Sequence, residues 1–267
     1  MQDQIRTVHP FDPEAQTGKI AVVTGASSGI GRASVEQLTA TGWQVFALAR
    51  RQERLQSLAQ ETGARALTLD VTDPEAVSQV AQQILEQTGG QLDALVNVAG
   101  GARGIDPVAR AKNQDWEWMF QVNVLGTLNM VRAFLPALRK NGCGSILNVT
   151  STAAEAGYEG GSGYNAAKFG QRALTEVLRL EEAEHRVRVI EVCPGMVYTP
   201  EFSLKRLGSA EAAAQVYAGV EQPLRAEDVA QTITFALNVP HHVNLDRIVM
   251  RPLAQAAQYK VIRKTQE

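Results

Sequence analysis

The chain has 267 residues, of which 45% are hydrophobic and 20% are charged, with a formal net charge of −2 at pH 7. This length suits one large α/β domain, and the small net charge gives no general attraction to nucleic acid or to an anionic membrane. No apolar run reaches the roughly 20 residues of a membrane span. The polar residues 1–17 do not resemble a signal peptide, and we interpret them as a loose N-terminal arm. Two cysteines, Cys143 and Cys193, are too few for a disulfide framework, and we interpret them as buried thiols of a cytoplasmic protein.

The first predicted elements form a strand–turn–helix–strand unit between Lys19 and Arg51. A β-branched apolar run, KIAVVT, predicts a strand buried on both faces, and the amphipathic stretch after the turn predicts a helix. The turn itself carries glycines in a GxxxGxG spacing. Glycines let a backbone approach a pyrophosphate closely, and the N-terminus of the following helix attracts its charge. A glycine-rich turn alone could be only a tight turn, but with these flanking elements it indicates a dinucleotide-binding site.

Apolar strands and amphipathic helices alternate along the rest of the chain. The remaining predicted strands are 43–48, 64–69, 92–97, 145–150, 187–193 and 247–250. The remaining predicted helices are 52–62, about 74–88, 114–140 (continuous or kinked at Pro136), 164–185 and 226–239, with one or two short helices within 201–220. This alternation predicts an α/β fold, namely a single Rossmann-type doubly wound parallel sheet of about seven strands with helices on both faces. Residues 18–267 form one domain in this prediction.

Polar or glycine residues follow most of the predicted strands. They are Gly25, Arg50, Asp70, Asn97, Ser151 and Gly195. Polar caps at strand ends explain any one of these positions. Ligands of doubly wound sheets, however, bind beyond the carboxyl ends of the strands, and the whole row therefore predicts one ligand-binding edge.

The strongest local signal for catalysis is the pair Tyr164 and Lys168 at the start of a predicted helix. Residues four apart share a helix face, so the phenol and the ammonium can lie side by side. A tyrosine with a pKa of about 10 is a poor base at neutral pH, but a fixed lysine charge and a bound nicotinamide cation would both favour phenolate. A pair with this spacing is more often structural when it stands alone, so its interpretation depends on its neighbours.

These neighbours carry a family resemblance. The segments are TGASSGIG at 24–31, NVAG at 97–100, VNVLGT around Asn123, NVTST around Ser151, YNAAK at 164–168 and PGMVYT at 194–199. With them, residues 18–252 resemble the short-chain dehydrogenase/reductase family. The resemblance implies that Tyr164 is the catalytic acid/base, and that Lys168 lowers its pKa and holds the nicotinamide ribose. It also implies that Ser151 hydrogen-bonds the reacting oxygen and that Asn123 carries a water of a proton relay. Val98 is a departure, because the family usually has a second asparagine there.

The end of the second strand decides between NAD and NADP. NAD enzymes of this kind place there an acid that bonds the ribose hydroxyls, whereas this chain has Ala49 followed by Arg50 and Arg51. A guanidinium matches a phosphate well, so we predict NADP; the alternative is two solvated arginines at a helix start. By resemblance, Asp70 and Val71 flank the adenine. The full predicted cofactor set is Gly25, Ser27, Ser28, Gly29, Ile30, Gly31, Arg50, Arg51, Asp70, Val71, Asn97, Ala99, Gly100, Tyr164, Lys168, Pro194, Gly195, Val197 and Thr199.

The substrate prediction depends on the segment EFSLKR at 201–206. It resembles the branch of the family that oxidises serine and other 3-hydroxy acids, in which this motif closes over the substrate as part of a lid, here at about 199–222. A 3-hydroxy acid needs a cation for its carboxylate, and Arg206 and Arg103 are the candidates. The alternative is that Arg206 pairs with an acid on the lid or points into solvent.

We therefore predict an NADP(H)-dependent oxidoreductase that transfers a hydride between nicotinamide and a secondary alcohol or ketone, with a small 3-hydroxy acid such as serine as a candidate substrate. The alternatives are a ketone reductase of a biosynthetic pathway and a non-catalytic nucleotide-sensing protein, although binding alone would need no serine and tyrosine. The resemblance also implies a homotetramer, or a homodimer, joined through the helices predicted at 114–140 and 164–185. No metal site is predicted, because His241 and His242 lack further ligand candidates.

Overall fold

A parallel sheet of seven strands organises the molecule. A computed structural model describes residues 17–199 and 201–264, so the predicted N-terminal arm, apart from Thr17, lies outside the described residues. The strands in this part of the chain are β1 (Ile20–Thr24), β2 (Gln44–Ala49), β3 (Arg65–Thr68), β4 (Ala94–Asn97), β5 (Ser145–Val149), β6 (Arg188–Pro194), β7 (Val197–Tyr198), β8 (Leu224–Arg225), β9 (Arg247–Met250), β10 (Gln255–Ala257) and β11 (Lys260–Val261). The main sheet has the order β3-β2-β1-β4-β5-β6-β9, and every neighbouring pair in it is parallel. The predicted doubly wound sheet is confirmed.

Helices cover both faces of this sheet. They are α1 (Gly29–Ala40), α2 (Gln52–Thr62), α3 (Pro74–Gln87), α4 (Asn113–Phe120), α5 (Gly126–Asn141), α6 (Ser162–Glu182), α7 (Phe202–Leu207), α8 (Ala210–Tyr217) and α9 (Ala226–Asn238). One apolar layer contains buried residues of α1, α2 and α9, and the other contains those of α3, α5 and α6. Successive residues of β1 belong alternately to the two layers, because neighbouring side chains of a strand point to opposite faces.

Local signals placed several helix ends correctly. The helix predicted over 52–62 has these bounds, and it ends at Gly63, whose φ of 76° is the left-handed conformation that favours glycine. The helix predicted after Asp73 begins at Pro74, and the Asp73 carboxylate accepts hydrogen bonds of 3.0 Å from the backbone N–H groups of Glu75 and Ala76. Such caps act within one turn, which is why they can be predicted from sequence.

The helix predicted over 114–140 is interrupted, and this prediction is corrected. A π-helical segment, Gln121–Leu125, separates α4 from α5, while α5 continues through Pro136. The Asn123 amide nitrogen donates to the carbonyl oxygens of Met119 at 2.7 Å and Gly101 at 2.9 Å, and its Oδ1 accepts from the Gly101 N–H at 3.2 Å. The wider turn therefore lies where Asn123 is tied to the loop after β4, as π-turns often do at functional sites.

The strand order reverses at β1. The next two strands of the chain lie on one side of β1, and β4 lies on its other side. Such a reversal leaves a crevice at the carboxyl ends of the two central strands. The Thr24 hydroxyl bridges these ends, because it accepts hydrogen bonds of 3.0 Å from the backbone N–H groups of Val98 and Ala99.

Other features were not predicted. The parallel pair of β7 and β8 and the antiparallel pair of β10 and β11 are only two or three residues long, too short to show a hydrophobic period. The interpretation of both cysteines as buried is wrong for Cys143, which is exposed just beyond α5, whereas Cys193 is buried in β6. None of the helices in the described residues has the length and apolar character of a membrane span.

Candidate active site

The predicted site residues gather at the carboxyl edge of the sheet. Those predicted to bind the cofactor follow β1 to β4 and the end of β6, apart from two on α6. At the turn after β1, a Cβ atom on Gly31 would overlap the Gly25 carbonyl group, and one on Gly25 would lie 2.9 Å from the Ala99 nitrogen. Gly25 and Gly29 also have φ values of 68° and 53°. Gly31 is therefore required by close packing within the turn, and Gly25 by close packing against the loop after β4.

The N-terminus of α1 is suited to an anion. The N-cap residue Ser28 makes no side-chain capping bond, and the first turn contains no acidic residue. Its backbone N–H groups and the positive end of the helix dipole thus face the turn without a side-chain cap. The Thr199 hydroxyl, beside Gly29, is a buried polar group without a hydrogen-bond partner among the described residues. This arrangement fits the pyrophosphate and amide groups of a nicotinamide dinucleotide.

The two predicted phosphate-binding arginines differ in position. Arg51 Nη2 donates to the hydroxyls of Ser27 at 2.8 Å and Ser28 at 2.7 Å, so its guanidinium lies on the glycine-rich turn. The side chain of Arg50 is 62% exposed, and its Nη1 lies 3.6 Å from the Asp70 carboxylate. Arg51 is therefore the better placed of the two for a phosphate on the adenosine ribose.

Ser151, Tyr164 and Lys168 lie together where β5 ends and α6 begins. Ser151 Oγ donates to the Pro194 carbonyl at 3.4 Å and lies near enough to the Tyr164 hydroxyl to oppose the rise of its pKa. Lys168 Nζ lies 5.8 Å from the centre of the Tyr164 ring and donates to the Val149 carbonyl at 3.2 Å. Tyr164 and Lys168 thus lie on one face of α6, as the sequence predicted.

Asn123 approaches the same place from the π-helical segment. A Cβ atom on Gly100 would lie 2.6 Å from Asn123 Oδ1 and 3.6 Å from Lys168 Nζ, so both side chains converge on this glycine. Asn97 lies deeper, where its amide nitrogen donates to Asn148 Oδ1 at 2.9 Å and joins β4 to β5. Asn97 therefore supports the edge of the sheet rather than the catalytic pair.

Burial dominates the electrostatics of Tyr164 and Lys168. Burial, with a smaller effect of Tyr158, raises the pKa of Tyr164 well above its ordinary value, and Ser151 and Arg206 only partly oppose this. Burial also lowers the pKa of Lys168 to about 7. In the protein alone, burial therefore outweighs the nearby groups that favour phenolate, and the predicted lowering of the Tyr164 pKa also involves the charge of a bound nicotinamide.

The predicted lid places Arg206 against Tyr164, the predicted catalytic tyrosine. The guanidinium carbon lies 5.8 Å from the centre of the Tyr164 ring. Its nitrogens donate to the Gly104 carbonyl at 3.3 Å, the Tyr158 hydroxyl at 3.0 Å and the Gly160 carbonyl at 2.8 Å. The alternative drawn from the sequence was that Arg206 pairs with an acid on the lid or points into solvent. The described lid residues show neither arrangement, because Arg206 is bonded to Tyr158 and to two backbone carbonyls.

The competing cation, Arg103, has a different environment. Its guanidinium stacks 4.0 Å from the centre of the Trp118 ring, and Nη1 lies 3.9 Å from the Asp115 carboxylate. Asp115 partly neutralises its charge. Arg103 is thus the weaker candidate for an anionic ligand.

Three residues of this region were not predicted from the sequence as site residues, namely Tyr158, Glu201 and Arg54. Tyr158 contacts Arg206, while Glu201 binds the arginines Arg51 and Arg54 that follow β2. Although partial burial raises it, hydrogen bonds from the surrounding cations lower the pKa of Glu201 to about 2. Glu201 stands in the predicted lid motif, but no local pattern signals a pairing across 150 residues of sequence.

The described side chains do not assemble a metal site. Within residues 17–199 and 201–264, no group of three or more His, Cys, Asp and Glu side chains is placed to hold a metal ion. The adjacent histidines His241 and His242 therefore gain no further ligands from the folded chain described here.

Comparisons with known proteins agree with this geometry. A family model described as short chain dehydrogenase matches residues 19–208. The chain is 38% identical over 242 residues to sulfoacetaldehyde reductase 2 of Chromohalobacter salexigens (89% of this chain, 95% of the relative). It is 36% identical over 248 residues to serine 3-dehydrogenase of Agrobacterium fabrum (91% and 98%). A solved structure, the closed form of serine dehydrogenase complexed with NADP+, superimposes with a TM-score of 0.86 at 34% identity and covers 92% of this chain and all of that one.

Proposed function

The chain belongs to the short-chain dehydrogenase family, and on that basis we propose that it transfers a hydride between NADP(H) and the hydroxyl-bearing carbon of a small 3-hydroxy acid. It is an NADP-dependent oxidoreductase that acts on hydroxyl groups, which confirms the predicted enzyme class and cofactor. The predicted branch of the family is confirmed by the relatives that are serine dehydrogenases. The observation that carries the substrate class is the position of Arg206 beside Tyr164.

The catalytic roles follow from the contacts at the end of β5. When bound, NADP(H) supplies or accepts the hydride. We assign to the Tyr164 hydroxyl the transfer of a proton to or from the reacting oxygen, since it is buried next to Ser151. Ser151 hydrogen-bonds the same oxygen and orients it. A charged Lys168 stabilises the phenolate that forms. We assign to Asn123, which converges with Lys168 on Gly100, the water-holding role that the family resemblance implies.

Arg206 has the capacity to bind a carboxylate. A guanidinium carries five N–H donors, and here three bonds go to neutral acceptors. No carboxylate in the described parts of the chain lies within ion-pair distance of it. A positive charge without an acidic partner, held beside the proton-transferring residue, suits the carboxylate of a substrate whose hydroxyl is two carbons away.

The proposal is tested by assaying L-serine, 3-hydroxybutyrate, sulfoacetaldehyde and neutral ketones with NADP(H) and NAD(H) side by side. We expect the highest kcat/KM for a small anionic substrate with the NADP(H) couple. Turnover of neutral ketones alone would instead support a biosynthetic ketone reductase. Cofactor binding without turnover of any alcohol or ketone would support a nucleotide-sensing protein.

Arg206→Met is expected to lower kcat/KM for the 3-hydroxy acid by about 10–100-fold, because a charged hydrogen bond contributes about 1.5–3 kcal/mol. Neutral alcohols should lose less than about threefold, since they have no carboxylate to bind. Steady-state kinetics on both substrates measure this split, with Arg103→Met as the matched control. Equal losses on charged and neutral substrates would mean that Arg206 only holds the lid in place.

We further propose that the protein is a cytoplasmic homotetramer, or a homodimer, formed through the helices after β4 and β5. Apolar side chains on these helices are exposed in the single chain, among them Phe120 on α4 and Val177 and Leu180 on α6. Burying them between subunits would remove apolar surface from water. Light scattering coupled to gel filtration measures the mass, and a monomer would contradict this proposal.

A further inference from the structure

Glu201 connects the lid to the arginines that follow β2. Both of its carboxylate oxygens accept hydrogen bonds from Arg51 Nη1, at 2.7 and 2.6 Å. The same carboxylate is bound by Arg54 and by Lys205, the latter at 2.6 Å. Its side chain is only 18% exposed, so the ion pairs are partly screened from water and are stronger than a typical surface pair.

The donors of Arg51 are fully engaged in this arrangement. Nε and Nη2 donate to the hydroxyls of Ser27 and Ser28, and Nη1 donates to Glu201. An incoming phosphate at this place therefore meets a carboxylate that already holds its cation. Two anions on one guanidinium repel each other, so the carboxylate must move away or share the donors.

We propose that Glu201 is a specificity-determining residue whose carboxylate exchanges with the 2′-phosphate of NADP on Arg51 and Arg54. This inference rests on the proposed function, which uses NADP(H), and on the placement of its ribose phosphate at Arg51. NAD lacks this phosphate, so in the NAD complex Glu201 remains paired with the arginines and their charge is not left without a partner. With NADP, the carboxylate competes with the ligand. Glu201 thus lowers the ratio of the affinity for NADP to the affinity for NAD.

The exchange also reaches the substrate side of the cleft. Glu201 directly precedes α7, and the Arg206 of that helix lies against Tyr164. When Glu201 leaves Arg51, the ion pair that joins the start of α7 to the segment after β2 is lost. The contacts that hold α7 in place therefore depend on whether a phosphate is bound to these arginines.

Glu201→Gln tests the competition, because it keeps the shape of the side chain and removes its charge. Binding of NADPH and NADH is measured by fluorescence titration, after thermal unfolding has shown that the variant is folded. We expect the ratio of Kd for NADH to Kd for NADPH to rise about tenfold. Glu211→Gln is the matched control, because Glu211 is an exposed acid on the same lid, and its ratio should equal that of the wild type.

An unchanged or lower ratio in Glu201→Gln would overturn the inference while leaving NADP use intact. Wild-type protein that binds neither dinucleotide would overturn the inference and the proposed function together. A second measurement uses only the wild type: adenosine 2′,5′-bisphosphate should speed hydrogen exchange in α7, whereas 5′-AMP should not. Equal exchange with both nucleotides would show that the phosphate does not displace Glu201.

Discussion

Replacing Tyr164 with phenylalanine is expected to lower kcat by about 10²–10⁴-fold in both reaction directions, the usual contribution of general acid–base catalysis. The substitution removes only the hydroxyl that carries the proton. The ring keeps its packing, including the edge-to-face contact with Phe202 at 5.8 Å between centroids. Because no other part of the site changes, the Kd for NADPH should stay within about twofold of the wild-type value. Single-turnover kinetics and fluorescence titration measure the two quantities.

Tyr158→Phe is the matched control for this loss. It also removes a phenolic hydroxyl close to the site, but one that accepts a hydrogen bond from Arg206. We expect it to raise KM for an anionic substrate and to leave kcat largely intact. Near-normal kcat in Tyr164→Phe would exclude Tyr164 as the proton-transferring group.

Replacing Lys168 with methionine is expected to have the second largest effect. The phenol of Tyr164 is buried, which opposes its ionisation. Without a cation beside it, the phenolate that forms during ketone reduction loses its stabilisation, and kcat should fall by about 10²–10³-fold. Lys140→Met, which removes an exposed lysine at the end of α5, should leave kcat unchanged.

The same variant has a second readout in the stability of the cofactor-free protein. Burial lowers the pKa of Lys168 to about 7 from an unfolded value of about 10.5. Between these values the unfolded chain binds a proton that the native protein lacks, so native stability rises with pH across this window. Below pH 7 the buried charge destabilises the native protein in full. The free energy of unfolding of the wild type, minus that of Lys168→Met, should therefore increase as the pH rises from 7 towards 10.5.

Urea unfolding at a series of pH values measures this difference. Using the difference between two proteins removes the effects of titrating groups that are distant from Lys168, since these contribute equally to both. A difference that does not change with pH would show that Lys168 stays charged when buried. Retained kcat in the variant would separately exclude its role in stabilising the phenolate.

Much of the fold follows from local patterns. The strands are continuous apolar runs, and the ends of α2 and α3 depend on Gly63, Asp73 and Pro74, which act within a single turn. The glycine-rich turn is likewise local, because the backbone at Gly25 and Gly29 has left-handed φ values. A Tyr–Lys spacing of four sets the side-by-side placement of the catalytic pair for the same reason. These features need no information from distant residues.

The positions of Arg51 and Asn123 were decided only by the tertiary structure, because they depend on contacts between segments that are distant in the sequence. Arg51 rather than Arg50 lies on the glycine-rich turn because Ser27, Ser28 and Glu201 bind it there. The interruption at Asn123 lies where the loop after β4 supplies the N–H and the carbonyl of Gly101 as partners of the Asn123 amide.

The state of Tyr164 is also tertiary in origin. The sequence predicted a pKa lowered by Lys168 and a bound nicotinamide, whereas in the protein alone burial by surrounding elements raises the pKa of Tyr164. Desolvation depends on everything that covers a group, whereas hydrophobic period and capping depend only on residues within a turn or two. The sequence therefore determined most of the elements and predicted a catalytic set, whereas the packing of distant segments determined the contacts and the burial of these residues.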